Sequence, residues 1–196
     1  MTPRQLKRVC VYCGSSDAIA EHFRDAARDL AALLVSEGIG VVTGGGSVGL
    51  MGVVADEVIS RGGEIIGVIP EKLERLELGH RGLDELHVVP DMHSRKRRMA
   101  DLSCAFVALP GGFGTLEELA EVTTWTQLND HLKPVGLLNV QGYYDPLLDW
   151  IRVAADAGFV RPQHRELVQA ATSPEELLHR LRTSHIPRLD EWLTTA

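Results

Sequence analysis

The chain has 196 residues and a formal net charge of −7, with 44% hydrophobic and 24% charged residues. That length and balance describe an ordinary globular unit, which buries roughly 70% of its unfolded surface and needs no disulfide or metal to hold it together. The acidity argues against a non-specific binder of nucleic acid or anionic membrane, and no apolar run is long enough for a membrane span.

In chain order, short apolar runs alternate with longer amphipathic stretches. The polar stretch 1–8 has no apolar signal-peptide core and leads into a strand over 9–12, so the cytoplasm is the expected compartment. A helix over 21–37 follows, with apolar positions at Ala27, Leu30, Ala31, Leu34 and Val35 and a stop at Gly38. Next come a strand over 39–43, a helix over 50–61, a strand over 64–69, an irregular stretch over 71–84 and a strand over 85–89. The pattern continues with a helix over 92–102, a strand over 105–109, a helix over 115–129, a strand over 134–138 and helices over 145–157 and 174–182. This alternation predicts an α/β fold: a doubly wound, Rossmann-like parallel sheet with helices on both faces. One such domain is expected over 1–186, with a loose tail over 187–196. Ligands of such sheets sit beyond the carboxyl ends of the strands, at the switch point.

Cys10 and Cys13 form C-x-x-C, but positions three apart on a strand point to opposite faces, and no second ligand pair is visible. Packing is the expected role, and no metal site is expected. The eight histidines show no ligand spacing, and surface or core roles suit them better. Trp125, Leu128 and Trp150 are expected in the core or at contacts between subunits.

Three segments follow strand ends and carry more chemistry than a loop needs. Gly14 and Ser15, after the first strand, offer a sharp turn and a hydroxyl donor, a weak signal alone. The run from Gly44 to Gly52 includes Gly45, Gly46 and Met51, and Gly44, Gly46 and Gly49 satisfy G-x-G-x-x-G. Phosphate or ligand contact is expected of it, with Gly45, Gly46 and Met51 among the substrate contacts, rather than a plain tight turn. The strongest is the third: Pro110, Gly111, Gly112, Phe113, Gly114 and Thr115, followed by Glu117 and Glu118. Its glycines can curl around a phosphate, Thr115 is expected to cap the helix, and the carboxylates fall in the expected first turn. Glu121 extends the same helical face. Upstream lie four consecutive cations, Arg95, Lys96, Arg97 and Arg98. In an acidic chain they are better explained by an anionic ligand than by solvation, with Arg95 and Arg98 one turn apart and Arg97 solvated.

P-G-G-x-G-T-x-x-E from Pro110 to Glu118, Arg95-Lys96, and G-G-G-x-x-G-L-M-G from Gly44 together resemble the Lonely guy family, along nearly the whole chain. Those cytokinin riboside 5′-monophosphate phosphoribohydrolases were long labelled lysine decarboxylase-like in error. The resemblance implies a homodimer without metal or cofactor that splits adenosine-type nucleoside 5′-monophosphates into free base and ribose 5-phosphate. It implies Arg95 and Glu118 as the catalytic pair, Gly111, Gly112, Gly114 and Thr115 as the phosphate loop, and Lys96, Thr124 and Glu77 as further substrate contacts. Glu121 is expected to assist Glu118 with the attacking water, since carboxylates stabilise the charge that builds on a sugar during such cleavage. The rivals are a non-catalytic nucleotide carrier, a nicotinamide-dependent oxidoreductase using the Gly44–Gly49 loop, and a pyridoxal-phosphate lysine decarboxylase.

Overall fold

A computed structural model of the chain describes residues 3–76 and 78–188. Seven parallel strands form one sheet: β1 (Arg8–Tyr12), β2 (Gly40–Thr43), β3 (Ile65–Pro70), β4 (Glu85–Val89), β5 (Ala105–Ala108), β6 (Val135–Leu138) and β7 (Val168–Ala171). Their spatial order is β4-β3-β2-β1-β5-β6-β7. The chain thus winds outward from β1 to β4, returns to the far side of β1, and winds outward again to β7. The switch point is the gap between β1 and β5, which pair from Val9 with Ala105 to Tyr12 with Ala108.

Alternation of side chains along the strands divides the core into two layers. Val9, Val11 and Val41 pack with α1 (Glu21–Ser36), α2 (Gly49–Ser60) and α7 (Pro174–Thr183). Cys10, Tyr12, Val42 and Phe106 pack on the other face with α4 (Met92–Leu102), α5 (Phe113–Gln127) and α6 (Asp145–Asp156). Both faces of the central strands are covered, as their unbroken apolar runs require. Cys10 and Cys13 contribute to opposite layers, and all three cysteines are free. Burial pushes the Cys13 thiol up to about 12, the reverse of what a reactive redox pair needs. Among the described residues no helix is long and apolar enough to cross a membrane.

The structure corrects several expectations. The irregular stretch after β3 opens with a short helix, α3 (Glu71–Glu74), and β7 adds an edge strand that the sequence pattern missed. Four residues reading Val-Gln-Ala-Ala show no apolar run; pairing with β6 makes them a strand. α5 begins at Phe113, two residues earlier than expected, so Glu117 and Glu118 lie beyond its first turn. Gly112 is its N-cap with no capping side chain, so Thr115 does not cap the helix. A glycine is tolerated at an N-cap, and the apolar residues behind it set the helical register. Residues 189–196 of the expected tail lie outside the described residues.

Candidate functional site

Three loops meet at the switch point, at the carboxyl ends of β1, β2 and β5. Gly14 N donates to Pro110 O at 3.1 Å, and Leu50 N donates to Gly14 O at 2.9 Å, so the first loop ties the other two together. Gly49 adopts φ +62, and a Cβ there would lie 2.6 Å from the Ser15 carbonyl carbon. A Cβ at Gly111 would lie 2.1 Å from Thr115 Oγ1. Close approach is the reason for both glycines. Gly112 and Gly114 differ, because a Cβ at either would meet nothing within 4 Å.

The loops differ in what their backbone amides do. In the Gly44–Gly49 loop, Gly45 N donates to Thr43 Oγ1, Gly46 N to Met51 Sδ and Gly49 N to Asp17 Oδ1. Ser47 N donates to Leu78 O, and His80 N donates back to Gly45 O. Gly45 is wedged against Leu86 and Val68 with φ +76. These donors are spent on the protein itself, so the G-x-G-x-x-G pattern is a packing device here rather than a pyrophosphate cradle. Met51 serves the same closure. In the third loop, by contrast, no hydrogen bond among the described residues uses the N–H of Gly111, Gly112, Phe113, Gly114 or Thr115. Unspent amides at a helix start, with the dipole behind them, attract an anion.

The charged residues sort into two clusters on the α4–α5 face. Asp91 caps α4 by accepting from Ser94 N at 2.7 Å, which sets the helix that carries Arg95 and Lys96. Arg95 is buried; its Nε donates to Val68 O at 3.1 Å and its Nη1 to Glu118 Oε1 at 2.7 Å. A Cβ at Gly44 would fall 1.8 Å from Arg95 Nη2, so that glycine makes room for the guanidinium. Glu118 is also buried, and burial pushes its carboxyl upward; Arg95 opposes this without cancelling it.

Lys96 forms the second cluster, donating to Glu117 Oε1 and, at 3.1 Å, to Glu121 Oε1. Burial acts to lower the Lys96 pKa, but the two carboxylates outweigh it and the net shift is upward. Glu121 therefore faces Lys96 rather than sharing a site with Glu118, and its second oxygen is buried without a hydrogen-bond partner.

Three further expectations meet the geometry differently. Arg98 is exposed and lies 3.5 Å from His87 Nδ1 of β4, one turn down α4 from the crevice, so it does not join Arg95. Thr124 bonds Ala120 O at 2.8 Å and lines a groove between α5 and α6, apart from the glycine loops. Glu77 lies outside the described residues. Ser15 is exposed and, with Gly14, Gly111 and Gly112, lines a cavity of about 300 Å³ closed by Phe23 and Tyr143. Asp17 and Tyr143 escaped sequence reasoning because their loop contacts are to residues 32 positions away in each case.

The fold and these clusters define a class: doubly wound α/β proteins with a glycine-lined helix start at the switch point and a buried Arg–Glu pair beside it. Residues 51–181 match a family described as "Possible lysine decarboxylase". The chain is 51% identical over 177 residues to a rice (Oryza sativa subsp. japonica) protein named "Probable cytokinin riboside 5'-monophosphate phosphoribohydrolase LOGL2", covering 90% of this chain and 72% of that one. It is 49% identical over 184 residues to the Arabidopsis thaliana "Cytokinin riboside 5'-monophosphate phosphoribohydrolase LOG1", covering 94% of this chain and 86% of that one. Among solved structures it resembles the molybdenum cofactor carrier protein of Chlamydomonas reinhardtii, with TM-score 0.67, 25% identity, and coverage of 89% of this chain and 94% of that one. The chain belongs to the cytokinin riboside 5′-monophosphate phosphoribohydrolase family.

Proposed function

We propose that this protein hydrolyses the N-glycosidic bond of adenosine-type, cytokinin nucleoside 5′-monophosphates, releasing the free base and ribose 5-phosphate. The observation that carries the reading is the juxtaposition of unspent amides over 111–115 with the buried Arg95–Glu118 pair. The amides of Gly111, Gly112, Gly114 and Thr115 hold the phosphate. Glu118, on the same helix less than two turns on, then faces the sugar. Its raised pKa makes it a better acceptor of a proton from attacking water than an ordinary glutamate, and as a carboxylate it stabilises the cationic sugar. Arg95 holds Glu118 in place and supplies a cation for the phosphate or departing base. Lys96, braced by Glu117 and Glu121, keeps these two carboxylates paired beside the catalytic pair. Phosphate binding remote from the broken bond contributes to catalysis at the sugar, so the dephosphorylated nucleoside is a poor substrate.

The likeness to a cofactor carrier supports a second reading, a protein that binds a phosphorylated ligand without cutting it. A buried carboxylate with a raised pKa is a costly feature for a carrier, and the hydrolase reading accounts for it. A Schiff-base lysine is poorly served here: Lys7 and Lys72 are exposed, Lys133 donates to Ala100 O at 2.6 Å, and Lys96 is held charged by two carboxylates. The chain acts as a homodimer in a reducing, cytoplasmic compartment. Supporting the dimer is the apolar groove between α5 and α6, lined by Leu116, Leu119, Leu147, Trp150 and Ile151.

The test is incubation of the purified protein with AMP, isopentenyladenosine monophosphate and adenosine, with release of free base as the readout. Release from the monophosphates but not from adenosine is expected. Glu118→Gln should lower turnover by about 10²-fold or more while nucleotide binding persists. Unchanged turnover in that variant refutes the hydrolytic role of Glu118.

A further inference from the structure

The turn after β6 is braced more heavily than a strand-to-helix connection requires. Asn139 is buried; its Oδ1 accepts from Tyr144 N at 2.8 Å and its Nδ2 donates to Asp145 Oδ1 at 2.7 Å. Gln141 and Gly142 adopt φ 49 and 76, and left-handed backbone at a glutamine is uncommon. The product of this bracing is two consecutive tyrosines aimed at the loop after β5. Tyr143 Oη donates to Gly111 O at 2.6 Å, and Tyr144 Oη donates to Leu109 O at 2.6 Å. Between them, Pro110 O accepts from Gly14 N at 3.1 Å.

Three successive carbonyls of this loop are therefore held. In a trans peptide the C=O and the N–H of the next residue point in opposite directions, and there are no cis bonds among the described residues. Holding Pro110 O fixes where the Gly111 N–H points, and holding Gly111 O fixes the Gly112 N–H, away from Tyr143. Glycines would otherwise let these peptide planes rotate. Leu109 O has no such consequence, because the next residue is Pro110, which lacks an N–H. The Tyr143 ring is itself held edge-on by Phe23 (centroids 5.6 Å apart) and Tyr144 (5.1 Å).

We propose that Tyr143 is a positioning residue that aims the Gly112 N–H at the substrate phosphate by holding the Gly111 carbonyl. This rests on the reading of the 111–115 loop as the phosphate cradle. Tyr144 makes the same bond chemically but aims no amide, so it serves stability alone.

The two tyrosines provide their own control. Tyr143→Phe and Tyr144→Phe each remove one hydroxyl from the intact protein and keep the ring. Ribose 5-phosphate and ribose are titrated calorimetrically into both variants and the wild type, alongside melting temperature and steady-state kinetics with the nucleoside monophosphate. Tyr143→Phe should weaken ribose 5-phosphate binding about 3- to 10-fold, the scale of one lost hydrogen bond, and raise KM similarly with kcat within about twofold. Tyr144→Phe should lower the melting temperature by roughly 3–8 °C with affinity held within about twofold. Equal affinity losses in both variants, or unchanged affinity in Tyr143→Phe while the wild type binds, overturn the assignment of Tyr143 alone. Failure of the wild type to bind ribose 5-phosphate any better than ribose overturns the phosphate cradle itself, and this inference with it.

Discussion

Glu118 shows how one side chain can be tuned by two opposed neighbours. Burial favours its neutral form and Arg95 favours its charged form; burial is the larger effect, and the net shift is upward from 4.5. If the carboxylate is the working form, activity is lost as pH falls through the shifted pKa. The acid limb of kcat/KM should then lie above the ordinary glutamate range, as a pH–rate profile would show. Replacing Arg95 with Met removes the principal opposing influence, so the Glu118 carboxyl should titrate at still higher pH, readable by carbon-13 NMR of the free protein. A downward move would mean that the guanidinium is not what holds the charge. The sequence named both residues of this pair. Residue type and spacing did not separate Glu118 from Glu117 and Glu121, which fall within four positions of one helix; the family resemblance singled it out, and in the structure the partners on α4 distinguish the three.

At the scale of elements, the three strand-end loops behave as one interlocked unit. Gly49 combines left-handed backbone with no room for a Cβ between α2 and the Ser15 peptide. Gly49→Ala should destabilise the protein by about 2 kcal/mol or more, from strain and backbone displacement together, and urea denaturation would measure it. A loss under about 0.5 kcal/mol would mean the loops are not locked there. The same interlocking explains why the G-x-G-x-x-G pattern misled. A motif lists residues that permit a phosphate cradle, but whether the amides remain unspent depends on Thr43, Met51, Asp17 and Leu78, which lie outside the motif or serve it through tertiary contact. The 111–115 loop carries a shorter glycine pattern and keeps its donors.

For the molecule as a whole, the strand order brings the three glycine loops and the Arg95–Glu118 pair to the gap between β1 and β5, while Arg98 and Thr124 lie away from it and one apolar surface stands out. Leu116, Trp150 and Val153 are exposed along the outer faces of α5 and α6, with Trp150 at 63%. An apolar face of this kind on a charged protein suits the interface of the proposed dimer. Trp150→Glu should therefore convert a dimer to a monomer in light scattering, with the melting temperature of the monomer little changed because the side chain is largely solvent-exposed. A dimer that persists unaltered would place the interface elsewhere.

Periodicity and punctuation in the amino-acid sequence were enough to set the layered α/β architecture and most strand and helix positions, and to single out the loop proposed to hold the phosphate. Those features depend on local pattern: apolar runs, glycines at strand ends, a run of four cations. The edge strand β7, the pairing of Arg95 with Glu118 and of Lys96 with Glu117 and Glu121, the closure of the second glycine loop, and the aiming of Gly112 by Tyr143 were decided only in three dimensions. Each depends on which groups from distant segments arrive within hydrogen-bonding distance, and short-range pattern carries no record of that meeting.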